Sequence, residues 1–349
     1  MIGRVGRRLR LARFWLGRGD LDEAAKHAYR ALPGPPGEPA YRARNGPPEL
    51  AVEVALTIAR IERDRDNPEA SHTYLQCAVA GLDAVPAGPE RDRLLVRALV
   101  DLADCHRRAG RWTPAAPLLR RALALSQHAD SAVLNMLGIV AKELGSFAEA
   151  ADWYGRAAVV QRGEGASAGS RAALQHNLAG LAYARGRHEE AEVHARQAVE
   201  LRRSAPGSTD VDVAADLAVL ASALAAQDRH DEARALFEEA LAACAAARPP
   251  RRYEIAVHLH NLAAIEQAGG HLREAERRYR QTLALKEELL GGEHPEVALV
   301  LNNLGTLLAE RLHPDEADEC YRRALDIAER RLPPDHPTVD GIRHNLAHS

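Results

Sequence analysis

Aromatic residues are scarce in this chain: three phenylalanines, three tryptophans and eight tyrosines make up only 4% of it. Its apolar content of 46% is carried mainly by alanine and leucine. Both are strong helix formers, and the β-branched residues that favour strands are comparatively few, so the composition argues for an all-helical protein. Cysteine is limited to Cys77, Cys105, Cys244 and Cys320, far apart and without a C-x-x-C pair. That spacing spells neither a zinc knuckle nor a redox motif. They read as reduced packing residues, Cys77 in a slot that other copies of the pattern described below give to Ala. No run of about 18 apolar residues occurs, so no membrane-spanning helix is expected. An excess of one charge is also missing, with 46 Lys and Arg against 49 Asp and Glu. A balanced surface gives no support to nucleic-acid binding, which needs a basic face. The start, MIGRVGRRLRLARFWLGRG, is Arg-rich but has neither the apolar core nor the cleavage site of a signal peptide. A soluble, cytoplasmic protein is expected.

Catalytic spellings are equally absent. There is no H-E-x-x-H, G-x-S-x-G, phosphate-binding loop or dinucleotide fingerprint. The sixteen histidines are not at metal-ligand spacing: His258 and His260 point to different sides of a helix, and the histidines of HEEAEVH (188–194) are six apart. Those of His294-Pro295 and His336-Pro337 fall in loops, where capping or packing is the simpler role. "EEA" and "DEA" clusters stand where second helices begin, and acids there favour the helix dipole. No enzyme, no metal and no cofactor are expected.

What the sequence does contain is itself, repeated. With 349 residues it has room for two domains or one extended array. Ala317, Ala275, Ala233 and Ala191 are each 42 residues apart, in PDEADECYRRAL, LREAERRYRQTL, HDEARALFEEAL and HEEAEVHARQAV. Shorter intervals lead back to Ala150, Ala115, Ala70 and Ala24, giving eight copies. Thirteen residues before the Ala lies a Leu in seven of them: Leu304, Leu262, Leu220, Leu178, Leu137, Leu102 and Leu11. Four residues after it six copies place a bulky residue: Tyr321, Tyr279, Phe237, Tyr154, Leu119 and Tyr74. Five residues before it stand Gly19, Gly110, Gly145, Gly186 and Gly270, suited to the left-handed backbone that ends many helices. Each copy therefore reads as two helices and a turn, its Ala allowing close approach and its large residue filling the gap toward the next copy. One such hairpin cannot bury its apolar face alone, so stability must come from stacking.

PGPPGEPAYRARNGPP (33–48) is too rich in Pro and Gly for helix and reads as a linker after a divergent first hairpin, residues 1–32. The array then occupies 49–349. QRGEGASAGSRA (161–172) is expected to be a second flexible stretch. In the first helix, Arg4, Arg7, Arg8, Arg10, Arg13 and Arg18 are read as a solvated face, with Leu11, Phe14 and Trp15 packing inward. The C-terminal HNLAHS repeats the opening of a first helix without a second, so a capping helix is expected at 337–348.

The order Leu-Gly/Ala, Gly, Ala, Tyr/Phe, Ala-Leu resembles the tetratricopeptide repeat over nearly the whole chain. The 42-residue copies, with "LNNL", "EAE…Y…AL" and His-Pro at Gly292–Val297 and Pro334–Val339, are similar to the kinesin light chain type. Earlier loops depart from that phrase, with RPPRRYEI and APGSTDVDV. Composition heavy in Ala, Arg and Gly suggests a bacterial relative. The resemblance implies a right-handed superhelical solenoid of about eight hairpins plus a capping helix, with the first helices lining a concave face that binds partners. The two residues before each first-helix Leu should point there: Asn135–Met136, His176–Asn177, Ala218–Val219, His260–Asn261, Asn302–Asn303 and His344–Asn345. An amide offers a donor and an acceptor to a peptide backbone. In kinesin light chain relatives the Asn of this phrase serves so, which implies the role for Asn177, Asn261, Asn303 and Asn345. The same amides would equally serve as a ladder between repeats. Around the middle repeats the groove should offer small residues: Ala173, Gly180, Ala215, Ser222, Ala225 and Ala264. Earlier repeats offer Arg97, Asp104, Arg107, Arg108 and Lys142, a mostly basic end suited to acidic groups. The expected function is a non-catalytic adaptor or scaffold that binds a protein or extended peptide segment. A ligand-responsive regulator of a separate effector is the alternative, and pairing of two copies through the solenoid ends stays open.

Overall fold

The computed structural model describes residues 2–31, 48–65, 67–109, 111–126, 130–163, 165–332 and 337–348. Among them are seventeen helices and no strand. They pair as α1 (Ile2–Leu16) with α2 (Leu21–Tyr29), α3 (Pro48–Asp64) with α4 (Pro68–Asp83), and α5 (Pro89–Arg108) with α6 (Trp112–Leu125). Next come α7 (Ser131–Glu143) with α8 (Phe147–Gly163), α9 (Ala168–Ala184) with α10 (His188–Ser204), and α11 (Asp210–Ala225) with α12 (His230–Ala246). The last pairs are α13 (Arg252–Ala268) with α14 (Leu272–Leu290) and α15 (Pro295–Glu310) with α16 (Pro314–Arg331), followed by α17 (Pro337–Ala347). Eight hairpins and a terminal helix match the expectation from the repeat. Most of the proposed linker 33–48 lies outside the described residues.

The chain divides into two compact units, Met1–Ala166 and Ser167–Ser349. Within each, hairpins stack in chain order, and the next-nearest packing is between first helices: α1 on α3 and α3 on α5 in the first unit, α9 on α11 and α11 on α13 in the second. Each stack is therefore closest on the side of its first helices.

The repeat positions carry the packing. Ala24, Ala115, Ala150, Ala191, Ala233, Ala275 and Ala317 are all fully buried, and each is the fourth residue of its second helix. In α4 the structure corrects the reading. The Asn67 side chain accepts from the Ala70 backbone N–H and Pro68 is the first helical residue, so Ala70 is third and Ser71 takes the fourth place. Ser71, Leu75 and Ala78 are buried while Ala70 and Cys77 are only half-buried. The slot needs a small side chain rather than alanine, and the cap sets which residue fills it. Counting back from Ser71 brings Ile58 and Ala59, both buried, to the places held elsewhere by Leu and Gly or Ala.

The left-handed position is as regular. Gly19, Gly145, Gly186 and Gly270 have φ between 71° and 77°. Where the sequence has no glycine, Asp228 and Leu312 adopt φ of 60° and 61° at the same place. Gly110 lies outside the described residues. At Gly305 closeness is the reason for glycine, since an added Cβ would lie 2.7 Å from the ring of Tyr321. Gly138 stands in the same relation to Tyr154.

Two further expectations are corrected. Phe14 is not inward: it is 50% exposed, with the Arg18 guanidinium 4.6 Å above its ring. Leu9 and Ala12 supply the buried face of α1 instead, because position 14 lies about 200° around the helix from position 12. The stretch 161–172 is largely helical, for α8 runs to Gly163 and α9 begins at Ala168, with the Ser167 hydroxyl accepting from the Ser170 N–H. No helix among the described residues is long and apolar enough to cross a membrane.

Candidate functional site

On the inward side, each first helix of the second unit presents a stripe with spacing four, three, four, which keeps residues on one face. The stripes are Ala173, Asn177, Gly180 and Ala184 on α9; Ala215, Val219 and Ser222 on α11 with Ala226 at its C-cap; Val257, Asn261, Ala264 and Ala268 on α13; and Leu299, Asn303, Thr306 and Glu310 on α15. From α9 to α13 no stripe residue is charged. A cavity of about 290 Å³ opens on this face, lined by Ser222, Ala225, Ala226, Asn261, Ala264 and Ala268. Tyr183, His230, Phe237 and Ile265 complete its wall. Four of the small residues and amides singled out in the sequence, Ser222, Ala225, Asn261 and Ala264, meet there.

The Asn and His columns differ in direction, though members of both bond within the fold. The residue next to the Leu lies on the stripe; the one before it turns toward the neighbouring helices. His176 Nδ1 lies 2.8 Å from Asp216 Oδ1, and Arg202 Nε donates to Asp216 Oδ2 at 2.9 Å. Asp216 is fully buried, so this carboxylate ties α9, α10 and α11 together. His260 Nε2 lies 3.2 Å from Asn303 Nδ2, and its ring meets Tyr279 edge-on at 5.5 Å. Burial, with the nearby Lys286 ammonium, lowers the His260 pKa to about 4. Neutral imidazole therefore accepts from the amide. Asn302 Nδ2 contacts Asn303 Oδ1 at 3.5 Å, and Asn345 Nδ2 donates to Asn302 Oδ1 at 2.9 Å. The ladder thus joins α13, α15 and α17. Asn177 is engaged within the fold, whereas the Asn261 amide has no hydrogen-bond partner among the described residues and lines the cavity. Exposed His344 stacks against His348 at 4.3 Å.

Beside the ladder, Lys286 Nζ donates to Glu296 Oε2 at 2.8 Å and the Tyr253 hydroxyl to Glu296 Oε1 at 2.9 Å. Burial would raise the Glu296 pKa, but the bonds from Lys286 and Tyr253 hold it below the usual range. This cluster escaped the sequence reading, although Tyr253 and Glu296 each occupy the first turn of a first helix. His294 is the N-cap of α15, its Nδ1 accepting from the Glu296 N–H at 3.2 Å ahead of Pro295. The His-Pro phrase is architecture at that loop; His336 lies outside the described residues.

The first unit offers a different face. On α5 the stripe is Arg97, Asp101, Asp104 and Arg108. Arg107 Nε and Arg108 Nε both donate to Asp104 at 2.8 Å. Arg97 is 3.9 Å from Asp101, and Lys142 on α7 is held by Glu143 at 2.8 Å. Asn135 is half-buried on α7 and engaged within the fold. Among the described residues there is no group of three or more His, Cys, Asp or Glu arranged to hold a metal ion.

Profiles described as tetratricopeptide repeat match residues 170–246 and 254–330, residues 100–168, and residues 6–28. No curated protein sequence matches the chain. Among solved structures, the apo quorum sensor NprR from B. thuringiensis is similar with a TM-score of 0.69 at 13% identity, over 93% of this chain and 87% of that one. A Rap protein complexed with competence and sporulation factor gives 0.62 at 13% identity, over 99% and 96%. Human IFIT1, as a dimer with m7Gppp-AAAA, gives 0.63 at 16% identity, over 97% and 70%. At these identities the likeness is one of fold, and it agrees with the stacked hairpins. Together with the matched profiles it shows that the chain belongs to the tetratricopeptide repeat family.

Proposed function

We propose that this protein is a cytoplasmic, non-catalytic scaffold whose first helices hold a segment of a partner protein or an extended peptide. The observation that carries this reading is the uncharged inward face of α9, α11 and α13. It combines small side chains, a cavity of about 290 Å³ and the unengaged Asn261 amide. Small side chains leave room for a ligand's bulk, and an amide without a protein partner offers one donor pair and one acceptor to a ligand backbone. Pull-down with the wild-type protein and with Ala264→Trp, which fills the cavity, tests the reading. Partner recovery falls at least tenfold for the variant while its thermal melt is retained; equal recovery by the folded variant defeats the proposal. Asn303 is a poorer choice for this test because it belongs to the ladder.

A ligand-responsive regulator is the second reading. Two structures of similar fold favour it, the quorum sensor NprR and the Rap protein complexed with competence and sporulation factor. In that case ligand binding shifts the protein between two stacking arrangements, and small-angle scattering shows a changed radius of gyration when partner is added. A passive scaffold keeps its radius.

A further inference from the structure

The corrected register of the second hairpin places α3 on the same face as the charged stripe of α5. With Ser71 as the reference, the inward stripe of α3 is Glu53, Thr57, Arg60 and Asp64, so Arg60 joins the face. Arg97 approaches Asp101 at 3.9 Å, and the positive charges of Arg63 and Arg60 act on the same carboxylate from beyond ion-pair distance. One turn further along α5, Asp104 is shared by Arg107 and Arg108. Arg63 also pairs with its neighbour Asp64 at 3.4 Å. Across α3 and α5 five arginines therefore face four carboxylates, Glu53, Asp64, Asp101 and Asp104, and exposed Arg60 has no ion pair among those found in the described residues. The surplus is positive, solvent-facing and made of guanidiniums, whose fork geometry suits carboxylates. On α1, exposed Arg10 and Arg13 continue the face, Arg13 being paired with Glu53 at 2.7 Å.

We propose that the inward face of α1, α3 and α5 docks an acidic segment of a partner protein, with Arg60 and Arg97 as its principal carboxylate contacts. The proposal rests on the reading of first helices as the binding side and extends it to the first unit. Charge complementarity selects this occupant. A neutral segment would gain nothing from the surplus guanidiniums, whereas Asp and Glu side chains would complete the pairings that Asp101 leaves short. The uncharged face of α9, α11 and α13 makes no such demand, so an acidic partner would be read by the first unit alone.

The test uses the full chain and a fluorescein-labelled peptide alternating Glu and Asp with Gly and Ser, against a control of Gly and Ser only. Fluorescence anisotropy shows the acidic peptide binding, the control not binding, and the affinity falling steeply as sodium chloride rises. Arg60→Glu with Arg97→Glu weakens binding at least tenfold, and Arg60→Gln with Arg97→Gln weakens it less. Arg120→Glu with Arg162→Glu, on the second helices of the same unit, leaves it unchanged. Acidic peptide binding no better than the control overturns the proposal, as does equal weakening by the second-helix variant. Tighter binding of oligothymidine, competing for the same arginines, also overturns it, since the partner would then be nucleic acid. Should the acidic peptide fail while Ala264→Trp still abolishes partner capture, this inference falls and the scaffold reading stands.

Discussion

At the scale of single residues, the fold asks one backbone position in each hairpin to be left-handed. Glycine adopts that conformation without penalty, but Leu312 holds it with φ of 61° and its side chain 86% exposed. A β-carbon costs about 1–2 kcal/mol in this region, and leucine recovers little from burial there. Part of that gain is offset by the larger unfolded-state entropy of glycine. Leu312→Gly therefore stabilises the protein by about 0.5–1 kcal/mol, measured as a higher denaturant midpoint with unchanged slope. Gly19, Gly145, Gly186 and Gly270 were legible at this place from spacing alone. That Asp228 and Leu312 share it was not, because nothing in their chemistry announces a positive φ. The slip at α4 has the same origin: matching alanine to alanine selected Ala70, whereas the Asn67 cap and Pro68 start the helix one residue later relative to the pattern.

At the scale of helices, the two columns of the sequence mostly serve one inter-helix ladder, with Asn261 apart from it. Asn261 stays open to the groove, while His176, His260, Asn302, Asn303 and Asn345 bind neighbouring helices together. Sequence spacing located both columns, but it does not say which of two adjacent residues faces inward; Asp216, whose carboxylate captures His176, decides that for α9. The ladder makes stability depend on pH. His260 has a folded pKa of about 4 against 6.5 for a free histidine, so the unfolded chain takes up the proton first. Its contribution is complete above about pH 6.5 and is lost as pH falls toward about 4, a loss of order 2–3 kcal/mol. His72, His106, His194 and His258, all lowered by burial, act in the same direction. Urea unfolding of His260→Gln shows a shallower decline over this window than the wild type; identical slopes would mean that His260 titrates normally in the folded protein.

At the scale of the whole molecule, the fold was almost fully readable because repetition states it eight times. The division between Ala166 and Ser167 was not: the Gly and Ser content of residues 161–172 suggested a flexible stretch, yet helix occupies most of it. The first helices of the two units also differ in what they present, guanidinium-rich on α1, α3 and α5 and uncharged on α9, α11 and α13. That contrast was visible only as a trend until the register of α3 was known. Both faces lie on first helices, which leaves the second helices to support them. Photo-crosslinking tests that assignment most directly. Benzoylphenylalanine is placed at Ala264, on the inward stripe, and separately at Val193, exposed on the second helix α10. The account predicts a covalent partner adduct from position 264 and none from position 193; adducts from position 193 alone would contradict it.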